Sequence, residues 1–117
     1  MAITFNTDQI DGLIGTSITG VYGRIQSVTV KKYDAETDPV VSVQWRCLYD
    51  VILHASASVR NADDSDWGNR VRSRRIDHFT CTYDPTSNSN PYAQAYADLK
   101  TKLAADDPPI STSIADA

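Results

Sequence analysis

The sequence predicts a mainly β, α+β fold: an antiparallel β-sandwich or sheet with long strands, followed by one C-terminal α-helix. Three observations carry this. Every odd position from Val41 to Val59 is apolar while the even ones are mostly polar, the period of a strand with one core face. The preceding stretch, Ile18 to Tyr33, is dense in β-branched and aromatic residues. Near the end, Tyr92, Ala95, Tyr96, Leu99 and Leu103 recur at helical spacing behind an Asn-Pro pair.

The whole chain of 117 residues, 1–117, fits one domain, and its apolar fraction of 41% and charged fraction of 22% are ordinary for a globular protein. A net charge of -4 argues against a general nucleic-acid binder, so no specific nucleic acid is expected as a partner. No apolar run approaches the ~20 residues needed to cross a bilayer. The opening MAITFNTDQIDG lacks the basic start and apolar block of a signal peptide. Synthesis in a cytoplasm and no membrane partner are therefore expected.

In chain order, residues 1–17 read as an N-terminal arm with one short strand at Ala2–Phe5, packing on the core or reaching a neighbour. Residues 18–60 read as a long β-hairpin closed by the polar turn Asp34 to Pro39. Its first strand has Val21 and Ile25 on odd positions but Val28 and Val30 on even ones, and such a change of phase marks a bulge or bend. Its second half, Val40 to Arg60, would span roughly 65 Å as one straight strand, so it must bend or be two strands in phase. Residues 61–73 read as a loop, acidic and then arginine-rich. Residues 74–83 form a strand with Phe79, Cys81 and Tyr83 on one face and His78, Thr80 and Thr82 on the other. After a loop, residues 90–105 form the helix, with Asn90 as N-cap, Pro91 in the first turn, Lys100 and Lys102 toward the C-terminus, and Pro108-Pro109 beyond its end. Residues 106–117 are a loosely held tail in which Ile110 and Ile114 are able to latch onto the sheet or a neighbour.

No catalytic constellation emerges. His54 and His78 both fall on polar strand faces, and a metal held between them with Asp50 or Asp77 has no Cys/His spacing behind it, so solvated histidines are the expectation. The run Asp63, Asp64, Asp66 resembles half of a calcium loop but has Arg74 or Arg75 where the terminal Glu belongs, so it reads as a surface turn. Neither GLIG nor GVYG fits a phosphate-cradling loop, and no nucleophile elbow is present. Cys47 and Cys81 share the apolar parity of their strands; neighbouring strands would let them touch or even bridge, but the expectation is that they act as small buried hydrophobes. No metal and no cofactor is expected. The charge feature with direction is Arg70, Arg72, Arg74 and Arg75, facing a partner protein, a nucleic acid, or the aspartates just before them. Trp67, in the same polar loop, is either a lid on the local core or an anchor for a partner.

The order of these features resembles a class of small virion structural proteins encoded among the tail and baseplate genes of tailed bacteriophages. The residues that carry the resemblance are GTSITGVYGRIQSV, the alternating strand with LYDVILHAS, the return strand ending FTCTYDP, and the closing helix NPYAQAYADLKTKL. That class has a β-rich body and a helix of the type N-P-x-x-x-A-Y-x-x-L-K, matched by Asn90, Pro91, Ala95, Tyr96, Leu99 and Lys100. The arginine-rich segment after Trp67 has no counterpart in it. The resemblance implies a noncatalytic subunit of the virion, in the tail or baseplate, that forms a homo-oligomer and contacts other virion proteins. A capsid decoration or head–tail completion protein is the alternative, and a small carbohydrate-binding module using Trp45, Tyr49 or Trp67 is an alternative of another class. Trp67, Arg70, Arg72, Arg74 and Arg75 are the first interface candidates. Arg46 and His54, on the even face of the long strand, are the next.

Overall fold

The computed structural model describes residues 2–37, 40–61, 70–106, 109–111 and 113–117, with backbone alone for 33–37, 40–43, 60 and 61. Six strands and two helices follow in the order β1 (Ile3–Thr7), β2 (Ile18–Thr37), β3 (Val40–His54), α1 (Ala57–Asn61), β4 (Arg70–Val71), β5 (His78–Thr82), α2 (Pro91–Ala105) and β6 (Ile114–Asp116). The strands make one antiparallel sheet in the order β4-β3-β2-β1-β6, and β5 pairs with β3 beside β4. The fold is thus mainly antiparallel β with one long C-terminal helix.

The hairpin β2–β3 is the axis of this sheet. Its pairing runs from Tyr22↔His54 out to Thr37↔Val40, with one irregularity between Ile25 and Ser27. That break inserts Gln26, so Ile25 opposes Val51 on one side of it and Val28 opposes Tyr49 on the other. The phase change in the sequence is this bulge, and it keeps Ile25, Val28 and Val30 on one face of the sheet. Twenty residues of straight strand would exceed the molecule's longest dimension of 52 Å, so β2 must bend as well as project. Gly20, at φ +72°, bends it near its start, where its amide donates to Asn6 Oδ1 at 3.0 Å. At Gly23 the requirement is space: an added Cβ would lie 3.2 Å from Phe5 Cε1 and 3.4 Å from both Ile3 and Leu53.

One face of the sheet carries α2. Asn90 Oδ1 accepts from the amide of Ala93 at 2.8 Å, the N-cap its sequence position suggests. Ala95, Tyr96, Leu99 and Leu103 are buried against the sheet, whereas Tyr92, on the same sequence stripe, is 44% exposed. Below them lie Cys47, Tyr49, Val51 and Leu53 of β3 with Ile3, Phe5, Val21 and Ile25. Tyr96 fixes the helix to the bulge, its hydroxyl accepting from the Ile25 amide at 2.8 Å. Tyr49 Oη donates to Asp98 at 2.6 Å, and Lys102 caps the same carboxylate while donating to Thr80 O at 2.7 Å.

Two expectations need correction, and two open alternatives are decided. The N-terminal segment packs on the core: its expected short strand is β1, which lies between β2 and β6, and Ala2, Ile3, Phe5 and Ile10 are buried. The alternating stretch stops being a strand at His54, because Ser56 Oγ accepts from the Val59 amide at 3.2 Å and starts α1, which folds back against β2 and β3. The strand expected over 74–83 is confined to His78–Thr82, since Ser73 and Ile76 bridge and turn the chain around Arg74 and Arg75. Of the tail, the latch onto the sheet is the alternative observed: Ile110 is buried and Ile114 begins β6, which is hydrogen-bonded along β1.

Candidate functional site

Loop 8–17 and the arginine segment meet at the end of the sheet opposite the hairpin tip. Ile10 is buried in the core and pins the loop down. Beyond it, the amide of Leu13 donates to Ile10 O at 2.9 Å, that of Gly15 to Asp8 O at 3.0 Å, and that of Thr16 to Leu13 O at 2.9 Å. Gly12 and Gly15 take φ of +82° and +87°, values that side chains resist, and this lets two tight turns follow each other. The result is an ordered tip that displays two large aliphatic residues, Leu13 at 47% and Ile14 at 64% exposure.

Asp11 links this tip to the arginines. Its amide donates to Arg72 O at 2.8 Å, and its carboxylate accepts from the Arg74 amide at 3.2 Å. The backbone of β4 is positioned in turn by pairing with Leu53 and His54, and the bridge at Ser73 and Ile76 turns Arg74 and Arg75 toward the loop. A cleft of about 410 Å³ between them is lined by Gln9, Asp11, Gly12, Ile14, Arg74 and Arg75. A smaller adjoining one, about 170 Å³, has Arg70, Arg72, Arg74, Asp11 and Asp77 around its mouth. Arg72 and Arg74 are exposed, and Arg75 is held to Asp106 at the end of α2 by a 2.6 Å ion pair. The patch therefore joins an exposed aliphatic tip to several guanidinium groups, and Arg is among the residue types enriched in interface hot spots.

The sequence-derived candidates divide accordingly. Arg70, Arg72, Arg74 and Arg75 are brought together, and Asp11 reaches them from sixty-odd residues upstream. Arg46 is exposed but lies toward the other end of β3, near a cleft of about 610 Å³ lined by Trp45, Tyr83, Asp84 and Pro85. His54 contradicts its expectation as a solvated surface residue: it is fully buried, at the end of β3 where the chain turns into α1 and packs back on the sheet. It also opposes Arg70 rather than His78, whose partner across the ladder is Asp50, so the weighed histidine metal pair is not formed. Among the described residues no group of three or more His, Cys, Asp or Glu converges to hold a metal ion. Tyr49 is buried beneath α2 and offers no ring to a sugar. Trp67 and the aspartates 63, 64 and 66 lie outside the described residues.

Leu13 and Ile14 carry no periodic signal and were not singled out by sequence reasoning. The available cue was two glycines bracketing a Leu-Ile pair, which becomes meaningful once the loop is known to be ordered. Comparison with known protein families, with characterised proteins and with solved structures returns no match.

Proposed function

We propose that the chain is a noncatalytic structural subunit of a bacteriophage particle, in the tail or baseplate, that assembles with itself and with other virion proteins. The observation that carries the assembly reading is the ordered, exposed Leu13–Ile14 tip beside Arg72 and Arg74. Holding two aliphatic side chains out in water by a network of loop hydrogen bonds is unfavourable for an isolated molecule, and burial against a partner recovers it. The arginines select a partner surface with carboxylates around an apolar socket. A second support is the β2–β3 hairpin, whose pairing continues well past the end of β1 and offers open strand edges for joining neighbours. The particle and its tail or baseplate rest on the resemblance of the strand pattern and the Asn90–Lys100 helix to that class.

The test is incorporation. Ile14→Asp combined with Arg72→Glu and Arg74→Glu is expected to lower the amount of chain in purified particles by roughly tenfold or more, the effect of losing one interface anchor, with an unchanged circular dichroism spectrum. Unchanged incorporation removes this face as the contact. Absence of the unsubstituted chain from purified particles removes the virion reading itself.

A further inference from the structure

Cys47 and Cys81 stand directly opposite each other where β3 pairs with β5. The ladder makes them a mutually hydrogen-bonded backbone pair: the Tyr83 amide donates to Trp45 O and the Val51 amide to Asp77 O, and such pairs alternate along antiparallel strands. Cα atoms in such a pair are about 5.5 Å apart, inside the span that a disulfide bridges. Both thiols are free, both point into the space under α2, and they lie within hydrogen-bonding reach of each other. Cys47 is fully enclosed, whereas Cys81, on the short outer strand, keeps 9% exposure.

We propose that Cys47 and Cys81 are an oxidisable dithiol, which a small two-electron oxidant of the peroxide class converts to an intrachain disulfide that staples β5 to β3. The more accessible Cys81 sulfur attacks one peroxide oxygen and breaks the O–O bond, giving a sulfenic acid and releasing water once the thiol proton is transferred. The Cys47 sulfur then attacks the Cys81 sulfur and displaces the hydroxyl, which leaves as a second water with the Cys47 proton. The two thiols lose two electrons and two protons, and one peroxide becomes two waters. Cβ atoms of a hydrogen-bonded pair are about 5.5 Å apart, beyond the ~3.5–4.5 Å of a disulfide, so closure must draw β5 inward, and a bridge under that tension is readily reduced.

Burial pushes the thiol of Cys81 up to about 12 and that of Cys47 up as well, with Asp98 adding to both shifts. Because the thiolate is the nucleophile, the reduced pair oxidises slowly at neutral pH and faster as pH rises, while burial admits only a small oxidant. The covalent loop would span residues 48–80, which include the Arg70–Arg75 segment, so oxidation ties that segment to the hairpin.

The full chain, freed of reductant, is treated with hydrogen peroxide, quenched with catalase and weighed intact without reduction. The expected product is lighter by two hydrogens, yields one Cys47–Cys81 cross-linked peptide on digestion, and shows a thiol titre in denaturant falling from two to none. Dithiothreitol restores both thiols. In Cys47→Ser the sulfenic acid at Cys81 has no resolving partner and is expected to be trapped by dimedone. A titre that stays at two, a gain of oxygen at cysteine without the cross-linked peptide, or disulfides between chains instead of within one would overturn the proposal. The unsubstituted chain decides it even where the variant fails to fold.

Discussion

Tyr96 shows how one side chain ties local irregularity to the core. The bulge at Gln26 frees the Ile25 amide from the ladder, and the Tyr96 hydroxyl takes it up inside the protein. Removing that acceptor leaves a buried donor unsatisfied, which costs about 1–3 kcal/mol. Tyr96→Phe is therefore expected to lower the urea midpoint without changing the slope of the transition, and an unchanged midpoint would mean the bulge amide finds another partner. A second residue-scale prediction concerns alkali. The fold favours the neutral thiol of Cys81, raised from an ordinary value near 9 to about 12, and the phenol of Tyr49 is pushed up by burial and by its bond to Asp98. Their contribution is complete below about pH 9 and is lost as pH rises toward 12, because the unfolded chain releases these protons first. Stability measured by urea unfolding should fall steadily over that window, and Cys81→Ala should flatten the early part of the decline.

At the scale of elements, periodicity was informative where one face of an element meets the core and the other meets water. The change from Ile25 to Val28 located the bulge, and Asn90-Pro91 with the stripe behind it located α2. Where both faces are covered, alternation says nothing of the second one, and this is why His54 reads as a surface residue although it is fully buried. For residues 1–17 the sequence suggested a short strand but left open whether it packs on the core or reaches a neighbour: five residues are too few to establish a period, and the place of β1 between β2 and β6 is decided by pairing with distant segments. Along α2 the stripe overreached by one turn at Tyr92, which lies past the sheet's cover. Leu99→Ala should cost about 2–5 kcal/mol, as a buried leucine truncated within a packed core does, while Tyr92→Ala should stay within about 0.5 kcal/mol. Thermal unfolding of the two variants checks this, and comparable losses would mean that α2 sits differently on the sheet.

For the whole molecule, the sequence made the sheet, the hairpin and the helix legible but only half of the candidate interface. The four arginines stand out as a charge cluster in the chain. Their neighbour Asp11 and the Leu13–Ile14 tip do not, because that juxtaposition is created by β4 pairing with the end of β3 and by loop 8–17 folding over it. The completed molecule, 52 × 32 × 22 Å, carries this aliphatic and cationic patch at one end and the hairpin at the other. On the proposed function, contacts at these two separated places would let one subunit join two neighbours, and a head-to-tail contact of that kind would close into a ring or continue as a tube. The most direct measurement of the assembly claim is the mass of the purified full chain in solution by light scattering across a range of concentrations. The account predicts a mass that rises above that of a single chain and returns to it in the Ile14→Asp, Arg72→Glu, Arg74→Glu variant. A chain that remains strictly monomeric at every concentration, and joins no particle, would contradict it.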